Sequence, residues 1–309
     1  MPSLRWVTLI RAISKKSSSM TKCIYPIIQL AALEMLSVED GFRESVTLIE
    51  HLIVPTRCGL RLYFVGVYVG FDQRKIWAII EKKINSWVKN APNRFLEAWS
   101  DQDTFTFTNL NRGNGNELRW GTEAEVVHRG HLIHLLDPVI AITLRLSNLQ
   151  DTYPLFMSLF ALFERTFYDT THLNLRIDYG PHSGSENFLP FVDMFRDFVN
   201  LKELYLEFDS LLLFFLPLLQ LSSPNSVLLP ALQSLRLCNV NFGHTSTSLP
   251  RVVDFLRWRG EQGFPIQKVH IADSWVNPEF IQNLIQIHDH DIILEIDDSN
   301  YLDLAGVDD

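Results

Sequence analysis

His128, His131 and His134 form an HxxHxxH run in a chain of 309 residues. On a helix the run covers six steps of about 100 degrees, so its ends lie about 300 degrees apart around the axis. Adjacent pairs can share a metal ion, but all three cannot. No acid stands at the offset that a zinc hydrolase HExxH helix needs, so ordinary partly buried histidines are the expected reading. A metal-dependent enzyme using this region is the alternative of another class. His288-Asp289-His290-Asp291 closes a helix, where the histidines complement the negative end of the helix dipole and the acids are solvated turn residues.

Other routes to chemistry close in turn. Gly113-Asn114-Gly115 lacks the remaining glycines or the Lys-Ser/Thr of a phosphate loop and is read as a turn. No GxSxG elbow is present, and none of Cys23, Cys58 and Cys238 carries a local catalytic signature. Asp297-Asp298 and Asp308-Asp309 are adjacent acids of a solvated tail. The expectation is a chain with no catalytic residue, no metal and no cofactor.

Composition narrows the class further. With 47% hydrophobic and 20% charged residues, the chain has a folded composition, and disorder is excluded. The net charge of −9 divides into +6 over residues 1–100 and −15 over residues 101–309. An acidic body argues against nucleic acid as a partner, because affinity there begins with phosphate neutralisation. The longest apolar run, residues 211–219, is interrupted by Pro217 and is far short of the ~20 residues that span a bilayer, so no membrane partner is expected. Three widely spaced cysteines and no Asn-x-Ser/Thr acceptor fit a reducing compartment, the cytoplasm or the nucleus. Arg5, Arg11, Lys15, Lys16 and Lys22, with no acid before Glu34, have the composition of a mitochondrial presequence. The spacing of Leu4, Val7 and Leu9 instead assigns this segment to a repeat.

That repeat organises the chain. Ile142-Thr-Leu144, Leu173-Asn-Leu175, Leu204-Tyr-Leu206 and Leu235-Arg-Leu237 recur 31 residues apart, and Val269-His-Ile271 follows after 34. Leu201, Leu232 and Ile266 complete LxxLxL units. Leu4-x-x-Val7-x-Leu9 and Leu33-x-x-Leu36-x-Val38 are early units, and residues 292–296 form a last candidate strand. Period-two alternation makes each LxL a strand with one buried face, and about 20 intervening residues suffice for a helix and two turns. Helices are expected from Ser248 to Gly260, with Pro250 in the first turn and Val253, Phe255 and Leu256 inward, from Asn277-Pro278, and over residues 72–90. Residues 211–221, nearly all apolar but for Pro217, predict a short or kinked helix.

A strand-turn-helix unit cannot bury its apolar strand face alone, so neighbours must stack. The predicted fold is α/β, an irregular leucine-rich-repeat solenoid with a curved parallel sheet and helices on the convex side. It is read as one domain over residues 1–309, with residues 99–136 as an irregular repeat or inserted hairpin around Asn114-Gly115. Four ladder positions, Leu144, Leu175, Leu206 and Leu237, are expected side by side. The ninth repeat position, Ser147, Asp178, Asp209, Val240 and Ser274, is expected to turn the chain and bond neighbouring backbones. An apolar first strand at the edge predicts self-association.

Side chains alternating with the leucines project onto the inner sheet face. Arg145, His172, Asn174, Arg176, Glu203, Tyr205, Glu207, Ser234, Arg236, Lys268 and His270 make up this strip. Cationic, anionic and aromatic anchors in one band suit recognition of a protein surface, the usual use of extended concave sheets.

Leu232-Gln-Ser-Leu235-Arg-Leu237-Cys-Asn-Val240-Asn-Phe242, Val252-Val-Asp-Phe255-Leu-Arg-Trp-Arg-Gly260 and Phe264-Pro-Ile-Gln-Lys-Val269-His-Ile271 together resemble the leucine-rich region of F-box proteins from mushroom-forming fungi. Pro2-Ser-Leu4-Arg-Trp-Val7-Thr-Leu9 and Ala32-Leu33-Glu-Met-Leu36-Ser-Val38 are similar to earlier repeats of that family. The resemblance implies a substrate receptor: the solenoid would hold a target protein, and an F-box would dock on a Skp-type adaptor of a cullin ubiquitin ligase. No Leu-Pro-x-Glu type F-box signature precedes the first repeat, so a repeat-only or truncated relative without ligase recruitment is the companion expectation.

Overall fold

Alternation with period two is realised as a ladder of short strands in the computed structural model of the chain. The residues described are 4–11, 26–55, 58–67, 95–100, 104–110, 139–146, 168–177, 195–207, 215–217, 219–220, 227–242, 248–276, 281–282, 284 and 293–296. In chain order the elements are β1 (Trp6–Ile10), β2 (Ile28–Gln29), β3 (Met35–Gly41), α1 (Phe42–His51), β4 (Leu52–Ile53), β5 (Gly59–Val67), β6 (Phe95–Ser100), β7 (Thr104–Leu110) and β8 (Val139–Leu146). They continue with β9 (His172–Ile177), β10 (Glu203–Glu207), β11 (Ser234–Cys238), β12 (Asn241–Phe242), α2 (Ser248–Glu261), β13 (Lys268–Ala272), β14 (Trp275–Val276) and β15 (Ile293–Ile296). The fold is α/β, with parallel sheets and few helices among the described residues.

Two units divide the chain, Met1–Leu96 with Asp103–Phe163 and Glu97–Gln102 with Glu164–Asp309. In the first, strands lie in the order β1-β3-β5-β8-β7. The first four run parallel, with Leu9 opposite Val38, Val38 opposite Leu62 and Leu62 opposite Ile142. Leu36, Val38, Leu60, Leu62 and Phe64 are buried, and α1 covers β3 and β5 with Val46 and Ile49 turned inward. Leu4, Trp6 and Ile10, in and beside β1, are 46%, 47% and 59% exposed, so the apolar surface that motivates the expectation of self-association is present.

The second unit carries the more regular ladder, in the order β6-β9-β10-β11-β13-β15. Leu175, Leu206, Leu237, Ile271 and Ile296 lie opposite one another across β9, β10, β11, β13 and β15, and Leu173, Leu204, Leu235, Val269 and Leu294 form the row beside them. The members on β9 to β13 are no more than 1% exposed. Burying each is worth about 1.5–3 kcal/mol, which is why register is strongly specified here. Phe195, Phe198 and Phe215 of the same unit are buried, with Phe195 and Phe215 edge to face at 4.6 Å. Residues 215–217 and 219–220, either side of residue 218, are helical, on the segment where Pro217 predicts a short helix.

Four strand entries repeat one device. Lys202 and Glu203 N–H both donate to Thr171 C=O, Gln233 and Ser234 to Lys202 C=O, and Gln267 and Lys268 to Gln233 C=O. Glu34 and Met35 donate to Arg5 C=O in the same way in the first unit. The strand exits of β11 and β13 match as well. Asn239 and Asp273 adopt φ of 52° and 47°, a left-handed turn that Asn and Asp tolerate, and the chain then enters the paired β12 and β14. At the ninth repeat position, Ser274 accepts from Val240 N–H at 3.1 Å and donates to Ala272 C=O at 2.7 Å, joining neighbouring units as expected.

One ladder position differs from the sequence expectation. Leu144 lies on β8 opposite Phe64 of β5 and Phe105 of the antiparallel β7, and so does not pair with Leu175. Both edges of β8 are occupied by those strands. β7 itself lies within residues 99–136, where the sequence suggests an irregular repeat or inserted hairpin. The turn expected at Asn114-Gly115, the helix over residues 72–90 and the presequence-like residues 12–25 fall outside the described residues, as do Ser147, Asp178 and Asp209.

Helix α2 turns Val252, Phe255 and Leu256 into the core, with Val252 in place of the expected Val253. It ends in a Schellman motif. Gly263, at φ 80°, donates to Gly260 C=O at 2.9 Å and Phe264 donates to Arg259 C=O at 2.9 Å. The position that completes the inward stripe at i+7 is Arg259, 1% exposed. Its guanidinium donates to the carbonyls of Phe264 (2.9 Å), Leu228 (2.9 Å), Leu229 (3.2 Å) and Leu232 (3.2 Å), tying the helix end to the approach to β11. Burial pulls its pKa down to about 10, still charged at neutral pH.

Candidate functional site

Because successive side chains of a strand point to opposite faces, the buried leucines of β9 to β13 oblige the residues between them to share the other face. Cross-strand register arranges these residues in three rows. The first is His172, Glu203, Ser234, Lys268 and Ile293; the second is Asn174, Tyr205, Arg236, His270 and Glu295; the third is Arg176, Glu207, Cys238 and Ala272. Ten of the eleven residues expected on the strip are thus brought together. The exception is Arg145, on β8 opposite Thr104 of β7 and outside this ladder.

The third row is closed on itself. Glu207, 3% exposed, is ion-paired with Arg176 through Nε and accepts from Arg176 Nη2 at 3.2 Å, Tyr205 Oη at 3.2 Å and Asn239 Nδ2 at 2.7 Å. A carboxylate held so far from water needs this many donors. Tyr205, 5% exposed, has its phenol pKa raised, chiefly by burial and then by the neighbouring Glu207. Cys238, also 5% exposed, is pushed up to about 11, mainly by burial, and its thiol reaches Asp273 Oδ2 at 3.6 Å. A protonated, buried thiol is a poor nucleophile. Sequence alternation alone suggests an open polar strip; cross-strand pairing has instead drawn Asn174, Tyr205, Glu207 and Cys238 out of solvent.

Towards β13 and β15 the face is more open. Lys268 Nζ lies 2.8 Å from Glu295 Oε2, and His270 Nδ1 lies 3.8 Å from the same oxygen. The hydrogen bond from Lys268 draws the Glu295 pKa below its ordinary value. In the first row His172 Nε2 is 3.4 Å from Glu203 Oε2, while Thr171 Oγ1 holds His172 Nδ1 at 2.8 Å. Glu203 shifts the other way: burial raises its pKa, against the pull of Arg236 and Lys268. Arg236 sits in the middle with its guanidinium carbon 5.8 Å from the centre of the Tyr205 ring. Its Nε is shielded from solvent and has no hydrogen-bond partner among the described residues. Glu295, missed in reading the sequence, was discoverable, since it alternates with Leu294 and Ile296 as Arg236 does with Leu235 and Leu237.

What this arrangement can do chemically is hold charge and shape. No group of three metal-ligating side chains is gathered among the described residues. His128, His131 and His134 lie outside those residues. No helix among them is long and apolar enough to cross a membrane. Comparison of the chain with protein-family models, with curated proteins and with solved structures gives no match.

Proposed function

We propose that this chain is a non-catalytic protein-binding module, a leucine-rich-repeat solenoid that presents the polar face of β9 to β15 on its concave side. The observation that carries this is the in-register face of three rows, two spanning five parallel strands and one spanning four, rich in polar side chains and backed by two buried aliphatic rows. Such a face offers many side chains at fixed spacing on a rigid support, which keeps the entropy cost of ordering an interface low. The repeated strand-entry hydrogen bonds and the Ser274 bridge between units support the solenoid assignment. Cys58 and Cys238 are buried and in no disulfide, in keeping with work in the cytoplasm or nucleus.

The resemblance to fungal F-box proteins refines the proposal. The chain would act as the recognition half of a cullin-type ubiquitin ligase receptor, with a Skp-type adaptor as second partner wherever an F-box accompanies it. A repeat-only relative would bind the same target without recruiting the ligase. Capture from a native extract tests the binding face. Wild-type chain is expected to retain a defined protein partner that Arg236→Ala with Lys268→Ala loses while still unfolding in one cooperative transition. A partner retained equally by that variant contradicts the proposal. Arg176 and Tyr205 are poor choices for this test because they belong to the buried Glu207 cluster.

A further inference from the structure

Among the described charged side chains of the polar face, Glu207 is ion-paired with Arg176 and Glu295 with Lys268, while Glu203 lies 3.4 Å from His172 Nε2 and feels the charges of Arg236 and Lys268. Arg236 is in no ion pair among the described residues, and its Nε, away from solvent, lacks an acceptor. With no hydrogen bond or ion pair to a carboxylate among the described residues, the guanidinium carries a charge that an incoming carboxylate can pair with directly. The guanidinium is also held in place. Tyr205, itself fixed by its bond to Glu207, lies against it, so little side-chain freedom remains to be lost on binding. On the next strand, His270 stands opposite Arg236 and Lys268 one row away, adding donors and positive charge to the same neighbourhood.

Resting on the binding reading above, we propose that Arg236 is the anchor of the face and that it takes a carboxylate from an acidic segment of the partner protein. The planar guanidinium matches a carboxylate through two parallel N–H···O bonds, a geometry that an ammonium cannot reproduce. Lys268, 40% exposed and shared with Glu295, flanks the incoming acid. A basic segment has less to gain, since Glu207 and Glu295 are already ion-paired.

Selection of linear ten-residue peptides from a randomised displayed library on the full chain tests the assignment. Peptides enriched in Asp and Glu are expected. Their affinity should fall about tenfold or more in Arg236→Gln and remain reduced in Arg236→Lys, since loss of one bidentate charge-assisted contact is of that order. Thermal melts of both variants that match wild type separate this from misfolding. Selection of basic or apolar peptides, no selection at all, or acidic peptides that bind Arg236→Gln as well as wild type would overturn the anchor. So would sedimentation showing a dimer that depends on Arg236, which gives the site to a second copy. If the anchor fails while Arg236→Ala with Lys268→Ala still loses the captured protein, the binding face stands and only the acidic preference is wrong. If capture also survives, both are wrong.

Discussion

The two halves of the polar face solve the same problem in opposite ways. Around Glu207, ionic and hydrogen-bonding groups from β9, β10 and the turn after β11 satisfy one another and leave the carboxylate 3% exposed. Around Arg236, on the next strand, the pairs are looser, the carboxylate of Glu295 is 47% exposed and a guanidinium nitrogen has no hydrogen-bond partner among the described residues. Identical backbone register supports both. The difference lies in which side chains face each other across about 5 Å of strand spacing, and it separates a polar cluster that holds the sheet from one suited to hold something else.

Substitution separates the halves by size of effect. Glu207→Ala strands Arg176, Tyr205 and Asn239 at once and is expected to cost about 3 kcal/mol in urea unfolding. Tyr205→Phe deletes a single buried donor to that carboxylate and should cost about 1–1.5 kcal/mol. Arg236→Ala, by contrast, removes no hydrogen bond within the described residues and should change stability by less than about 1 kcal/mol, from its contact with Tyr205 and its screened attraction to Glu203 and Glu295. A reversed order of Glu207→Ala and Arg236→Ala would erase the distinction.

Smaller effects sharpen it through pH. Glu295, held below its ordinary value of 4.5 by Lys268, adds stability that is present above pH 4.5 and fades as pH falls through its lower folded value. Glu295→Gln should therefore cost about 0.5 kcal/mol at pH 7, as exposed pairs do, with the difference closing in acid. Glu203 carries the opposite sign. Its pKa is raised above 4.5, so its favourable contribution is complete below pH 4.5 and is lost as pH rises through the folded value. Glu203→Gln should remove that loss and leave the protein at least as stable at pH 7. Stability curves of the two variants against pH, bending the same way, would refute the assignment.

Much of this was legible in the chain itself. Constant spacing and period-two alternation located Leu175, Leu206, Leu237 and Ile271 because a one-residue slip would turn every leucine into water. Ser274 was legible as a small polar residue where a repeat must turn. Leu144 was not, since its LxL pattern is the same whether the strand beside it is β7 or β9, and pairing across an inserted antiparallel strand leaves no trace in local spacing. Alternation likewise named the face of Tyr205 and Glu207 but not their burial, which depends on cross-strand partners. Arg259 was missed because a charge at an inward helical position reads as a break in the stripe, whereas four carbonyls make it part of the core.

Hydroxyl-radical footprinting of the full chain with the protein it captures is the most direct test of the binding face. Protection on binding should fall on side chains of β10, β11, β13 and β15 that share the face of Arg236, with Lys268 and Glu295 among them. Protection restricted to α1, α2 or β1, with that face still open to the probe, would contradict the account.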